Sequence, residues 1–131
     1  MIALLLAGLF LVAPGYGAAD PCWRGFLVAV VTVVDGDTVD LDVTWEPDHV
    51  ATVRVRLAGI DTPELKGDTR VAGEAAKTYT TKWLENSGAT ELVVCRPARD
   101  SFGRYIGRLV SATKGDLSAA LLASGHAKPY P

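Results

Sequence analysis

From Phe26 to Val34 the chain is an almost unbroken run of β-branched and aliphatic residues, closed by the turn signal Asp35-Gly36-Asp37. The length and composition of the run predict a first, buried strand. From Val39 to Trp45 the pattern alternates, with Val39, Leu41, Val43 and Trp45 on one face and Asp40, Asp42 and Thr44 on the other. A period of two predicts a half-buried strand. The polar stretch Glu46-Pro47-Asp48-His49 interrupts the alternation, which resumes with Val53, Val55 and Leu57 against Thr52, Arg54 and Arg56. These two strands are expected to form a hairpin. Antiparallel pairing then brings the beginning of one beside the end of the other, so Asp37 and Asp61 are expected to lie close together.

A different period follows. Ala72, Ala76, Tyr79 and Trp83 recur at steps of four, three and four, which predicts an amphipathic helix over 72–86, ended by Ser87-Gly88. Glu91 to Cys95 and Tyr105 to Val110 read as two short strands joined by a turn through Asp100-Ser101-Phe102-Gly103. Asp116 is placed to cap a short helix through Leu117, Ala120, Leu121 and Ser124, stopped by Gly125. The order is three strands, a helix, two strands and a short C-terminal helix. That order matches an α+β fold built on a five-stranded OB-type barrel, with the first helix between the third and fourth strands.

Composition adds bounds. A chain of 131 residues has room for one domain, and 49% apolar with 21% charged residues is the balance of a globular chain. Residues 1–13 carry no charged side chain, Pro14-Gly15 break the run, and Gly17-Ala18-Ala19 offer a small-x-small cleavage site. Residues 1–19 are therefore expected to be a signal peptide, with an uncleaved anchor as the alternative, and 20–131 the folded domain. Cys22 follows Asp20-Pro21 rather than small or aliphatic residues, which excludes a lipoprotein signal. Once the segment is removed, the expectation is a secreted or periplasmic monomer with no stable membrane association. Every charged side chain lies beyond Ala19, and the formal net charge is −2. A nucleic-acid ligand would then be held by a local basic site or through a cation, not by an overall positive field. The two cysteines, Cys22 and Cys95, have two readings. They pair across the first and fourth strands in an oxidising compartment, or Cys95 is a core thiol and Cys22 a free one.

Three segments carry candidate chemistry. Val34-Asp35-Gly36-Asp37-Thr38-Val39 sets two carboxylates around a glycine at a strand entrance. Val55-Arg56-Leu57-Ala58-Gly59-Ile60-Asp61-Thr62-Pro63-Glu64 sets an arginine and two carboxylates at a strand end. Asp100-Ser101-Phe102-Gly103-Arg104-Tyr105 supplies a second arginine after a glycine turn. Singly these read as a solvated bend, a surface ion pair with a polar loop, and a hairpin. Together, carboxylates crowded at one place call for a hard cation such as calcium to relieve their repulsion.

In this order the three segments resemble the signature of the staphylococcal-nuclease-like family, over Phe26 to Tyr130. Gly73-Glu74-Ala75-Ala76 and Leu122-Ala123-Ser124-Gly125-His126-Ala127-Lys128 match as well. The resemblance implies a calcium-dependent nuclease that hydrolyses DNA and RNA phosphodiesters endonucleolytically and leaves 3′-phosphate ends. It implies one calcium ion held by Asp37, Asp61 and the backbone carbonyl of Thr62, with Asp35 a neighbouring carboxylate that does not touch the ion. It implies Glu64 as general base, or as the group that orients the attacking water, and Arg56 and Arg104 on the scissile phosphate. Phe102 and Tyr130 stack on a base or belong to the core; Lys66 and Arg70 touch phosphates or are solvated. His49 is expected in a loop and His126 in a structural role. The alternatives are a non-catalytic OB-type module that binds single-stranded nucleic acid or protein, which would not need both arginines and all the carboxylates, and a calcium-stabilised structural domain.

Overall fold

The computed structural model describes residues 22–131, apart from the side chains at 96–98; the expected signal segment 1–19 lies outside the described residues. Five long strands close into a mixed barrel: β1 (Cys22–Asp35), β2 (Thr38–Glu46), β3 (His49–Leu57), β5 (Thr90–Arg99) and β6 (Tyr105–Ser111). The short strands β4 (Ile60–Asp61), β7 (Gly115–Asp116) and β8 (Lys128–Pro129) sit at its margins, with helices α1 (Arg70–Glu85) and α2 (Leu117–Ala123). The OB-type barrel with its first helix between the third and fourth barrel strands is the architecture expected from the sequence. The sheet order is β3-β2-β1-β5-β6-β7, and β3 closes the ring by pairing parallel with β6.

The alternation in β2 and β3 does what period two requires, except at Trp45, which stands on the apolar face by sequence but beyond the covered part of the strand and is exposed. Val39, Leu41, Val43, Val55 and Leu57 are buried, and Leu92, Val94 and Leu109 meet them from β5 and β6. Each such side chain contributes about 1.5–3 kcal/mol relative to exposure. The β2–β3 connection is the two-residue turn Pro47-Asp48, in which Asp48 adopts φ 65°, a left-handed conformation that aspartate tolerates. His49, expected in the loop, instead begins β3 and packs its ring 6.0 Å from that of Trp45.

β1 departs from expectation. It is a strand, but Phe26, Val28, Val30 and Val31 are exposed. The reason is coverage: β1 pairs with β5 only through Cys22 to Phe26, and beyond that point it pairs with β2 alone. A continuous apolar run identifies a strand without saying which face its neighbours cover. At the other end of the same strand Cys22 lies opposite Cys95 in register, and the two form a disulfide. Cys95 is exposed, so the core-thiol reading is set aside. A cross-link 73 residues apart removes enough unfolded-state entropy to contribute about 4 kcal/mol.

Helix α1 packs Ala76, Thr80, Trp83 and Leu84 inward. Helix α2 begins where Asp116 accepts a hydrogen bond from the Ser118 amide at 2.8 Å, and its Leu117 and Leu121 complete the core. No helix of the described residues is long and apolar enough to cross a membrane.

Candidate active site at the meeting of two clefts

The β2–β3 register sets Thr38 opposite Arg56, so the start of β2 and the end of β3 share one place on the barrel wall. Arg56 is nearly buried there, with 14% of its side chain exposed. Its Nη1 donates to the carbonyls of Leu57 and Ile60 at 2.9 Å each, and its Nη2 reaches Asp61 Oδ1 at 3.2 Å and Asp37 Oδ2 at 3.4 Å. One guanidinium nitrogen therefore bridges the two carboxylates that pairing was expected to bring together.

Asp37 is buried, and besides Arg56 three hydrogen bonds fix it. Oδ2 accepts the Thr62 amide at 3.0 Å, Oδ1 accepts the Thr38 hydroxyl at 3.2 Å, and the Asp37 amide donates to Asp35 Oδ1 at 3.1 Å. Burial alone would raise the Asp37 pKa. Hydrogen bonds from Asp35 and the Thr62 amide, with the Arg56 charge, outweigh burial and hold it below the usual carboxylate value. Asp35 goes the other way, to about 6, first because it is partly buried and then because it faces Asp37. The pair thus accommodates one negative charge more readily than two.

The Asp35-Gly36-Asp37 turn is wedged against α1. A Cβ on Gly36 would stand 2.7 Å from the Ala76 Cβ and 2.9 Å from the Thr62 Cγ2, so only glycine fits. Thr80 donates its hydroxyl to the Gly36 carbonyl at 2.7 Å, fully buried. At Gly73 a Cβ would come within 2.5 Å of the Glu64 carbonyl oxygen. The helix backbone lies directly against the loop that carries Glu64. Neither the support from Thr80 nor the contact at Gly73 was read from the sequence. The available signal was a small polar residue at i+4 from Ala76 on an apolar stripe, and a glycine within a helix where it would otherwise cost about 1 kcal/mol.

Two clefts meet at this point. One, of about 380 Å³, is lined by Asp61, Thr62, Glu64, Thr69, His126 and Lys128. The other, of about 250 Å³, is lined by Arg56, Asp100, Phe102, Arg104 and Tyr130 among others. The contact of Arg56 with Asp61 joins them. Glu64 is exposed, and among the described residues its carboxylate makes no hydrogen bond or ion pair. Arg104 is set by its hairpin. Its Nε donates to Asp100 Oδ2 at 2.7 Å, while Asp100 Oδ1 accepts the amides of Phe102 and Arg104. Gly103 at φ 84° makes the turn. Partial desolvation pushes the Asp100 pKa up, but these hydrogen bonds and the Arg104 charge keep it low.

Phe102 and Tyr130 are 82% and 56% exposed, which removes them from the core. Their rings lie 5.2 Å from the Arg104 and 5.8 Å from the Arg56 guanidinium carbons. Tyr130 is placed by its amide, which donates to the Gly59 carbonyl at 2.9 Å beside the β4–β8 pairing of Asp61 with Lys128. Lys66 and Arg70 line neither cleft. Lys66 is exposed, and Arg70 pairs with Glu74 on the α1 surface at 3.0 Å. His126, expected to be structural, packs on Tyr79 at 5.0 Å and also forms part of the wall beside Glu64. Lys128 was not picked out from the sequence as a site residue; its place in this wall depends on the β4–β8 pairing.

A family model described as staphylococcal nuclease homologue matches residues 54–131. The chain belongs to that family. The thermonuclease of Staphylococcus intermedius is 39% identical over 86 residues, 63% of this chain and 48% of the relative. The micrococcal nuclease of Shigella flexneri is 34% identical over 88 residues, 66% of this chain and 44% of the relative. Endonuclease YhcR of Bacillus subtilis is 27% identical over 121 residues, 86% of this chain and 10% of the relative. The chain thus spans under half the length of these relatives. Arg56, Asp61, Thr62, Glu64, Arg104 and Tyr130 all fall within the family match, whereas Asp35 and Asp37 precede it and join the site through the barrel.

As a test of whether the site fits calcium, the donor set is informative. Asp37 and Asp61 converge on Arg56 Nη2, and the Thr62 side-chain oxygen is buried with no hydrogen-bond partner. These are hard oxygen donors of the type calcium prefers. Among the described residues no group of three or more His, Cys, Asp or Glu side chains converges, so water and backbone oxygens would supply the remaining ligands.

Proposed function

We propose that this protein is a calcium-dependent nuclease that hydrolyses DNA and RNA endonucleolytically, leaves 3′-phosphate ends and acts as an exported monomer. The observation that carries the reading is the bridge of Arg56 between Asp37 and Asp61, where the cleft lined by Glu64 meets the cleft lined by Arg104. A phosphodiester in water-driven hydrolysis accumulates negative charge on its non-bridging oxygens. Two guanidiniums held in advance by carboxylates and carbonyls answer that charge with bidentate donors, which lysine would do poorly. Asp37, Asp61 and the Thr62 carbonyl would hold the cation, which when bound supplies Lewis-acid stabilisation of the phosphoryl oxygens. Glu64 carries the free carboxylate of the site and would accept the proton of the attacking water or orient it. Phe102 and Tyr130 offer exposed rings to the bases beside the scissile phosphate. Export is supported by the uncharged apolar run of 1–13 and by the disulfide, which persists in oxidising compartments.

The test is cleavage of single-stranded DNA and of RNA by the purified protein with calcium and with a chelator, beside Glu64→Gln. Cleavage is expected to require calcium and to fall by about 10²–10⁴ in the variant. Product ends should become extendable by a polymerase only after phosphatase treatment. A folded, calcium-loaded protein that cleaves neither substrate would overturn the reading.

A further inference from the structure

A third cleft lies on the other side of the β5–β6 hairpin from Arg104. It measures about 500 Å³ and is lined by Trp23, Trp45, Thr52, Val53, Arg99 and Tyr105, among others. The three rings stand edge to face. Trp23 is 5.9 Å from Trp45 at 63° and 5.7 Å from Tyr105 at 87°. Trp83 shows what a core tryptophan is in this protein, at 5% exposed; Trp45 is 45% exposed. The rings are anchored, because the disulfide beside Trp23 ties the strand that carries it to the strand that carries Arg99.

Arg99 is the second observation. Arg24, Arg54, Arg56, Arg70, Arg104 and Arg108 each pair with a carboxylate. Among the described residues Arg99 pairs with none. It lies 4.3 Å over the Tyr105 ring and donates one hydrogen bond to the Tyr105 hydroxyl, which leaves most of its five donors available. No lining residue of the cleft is acidic. The counter-charge Arg99 lacks is therefore one a ligand would bring.

We propose that this cleft binds single-stranded nucleic acid, with a base on the exposed ring of Trp45 and a phosphate on Arg99, which the Tyr105 ring supports. The proposal rests on the nuclease reading for the polymer that reaches it. Arg99 and Tyr105 are paired across the hairpin whose next residues, Asp100 and Arg104, line the Arg56 cleft. A strand held at Arg104 thus passes to the aromatic cleft by crossing one hairpin. Stacking on rings with a cation alongside is sequence-tolerant recognition of a single strand. A neutral sugar or an apolar peptide would cover the rings and leave Arg99 without its counter-charge.

The test is binding of oligothymidylates of two and of about ten nucleotides to the full chain in chelator, by tryptophan fluorescence and with a labelled strand, a span chosen from the usual site size of such barrels. Trp45→Ala and Arg99→Ala are each expected to weaken the ten-nucleotide strand about tenfold, and the dinucleotide far less. Arg99→Ala should also reduce the salt dependence by about one charge, and Trp45→Phe, which keeps a ring, should retain most of the affinity. Thermal melts of the variants are run alongside to establish that they are folded. Unchanged affinity for the longer strand in both folded variants overturns the proposal, as does quenching by a neutral oligosaccharide with none by the oligonucleotide. Calcium-dependent cleavage with no effect of either variant would overturn this proposal and leave the nuclease reading intact. Length-dependent binding in a protein that never cleaves would support this proposal and overturn that reading.

Discussion

Arg56 and Arg104 are the same side chain on two walls of one cleft, yet they are anchored by different parts of the molecule. Arg56 is held by the carbonyls of Leu57 at the end of β3 and Ile60 at the start of β4, and by two carboxylates, one of them in the β1–β2 turn and 19 positions away in sequence. Arg104 is held by Asp100, four residues before it in the same turn. One arginine is anchored by groups from separate elements of the barrel; the other is anchored by a carboxylate within its own hairpin. Equal chemistry on the substrate need not mean equal cost to the fold.

The comparison is broken or sharpened by substitution. The largest effect is expected for Arg56→Ala, which leaves the buried Asp37 carboxylate without its cation and the Leu57 and Ile60 carbonyls without a donor. The loss should be about 3–5 kcal/mol in urea unfolding, accompanied by loss of nuclease activity. Arg104→Ala is expected to lower the cleavage rate by about 10²–10³ while shifting stability by no more than about 1 kcal/mol, because its ion pair is local and partly exposed. If both variants lose the same stability, the distinction between a fold arginine and a hairpin arginine fails.

The smallest effect concerns Asp35, on the fold side of the comparison, and it depends on pH. Its folded pKa of about 6 lies above the unfolded 3.8. Below the unfolded value the group is protonated in both states and costs nothing. As pH rises to about 6 the unfolded chain has already released the proton that the folded chain still holds, so stability falls, and above that the cost is complete. In chelator, Asp35→Asn should stabilise the protein at pH 8, by less than about 1 kcal/mol because solvent screens the half-buried group, and leave it nearly unchanged at pH 3.5, as read by urea midpoints. An equal change at both pH values would mean that ionisation of Asp35 is not the cause.

Much of the site was legible in the chain because it is local. Arg56, Asp61, Thr62 and Glu64 occupy one strand end, Asp100 to Arg104 one turn, and Asp35-Gly36-Asp37 one strand entrance. Period two in β2 and β3 then fixed which residues face the core and brought Asp37 toward Asp61. What the sequence misread or left open has one main cause. The outer face of β1, expected to be buried, the exposed ring of Tyr130, left open between core and site, and the wall made by His126 and Lys128 each depend on what another element covers, and an isolated segment carries no record of that.

The sequence by itself determined the strand and helix order, the barrel class, the family resemblance and the residue types of the site, because these follow from periodicity, turn chemistry and short motifs. The tertiary structure decided that one guanidinium bridges two carboxylates, that α1 lies against the Glu64 loop at Gly73, and that Trp23, Trp45 and Arg99 share a cleft across the hairpin from Arg104. These are contacts between residues far apart in the chain, set by sheet register and barrel closure, and burial and charge pairing there are properties of the packed whole.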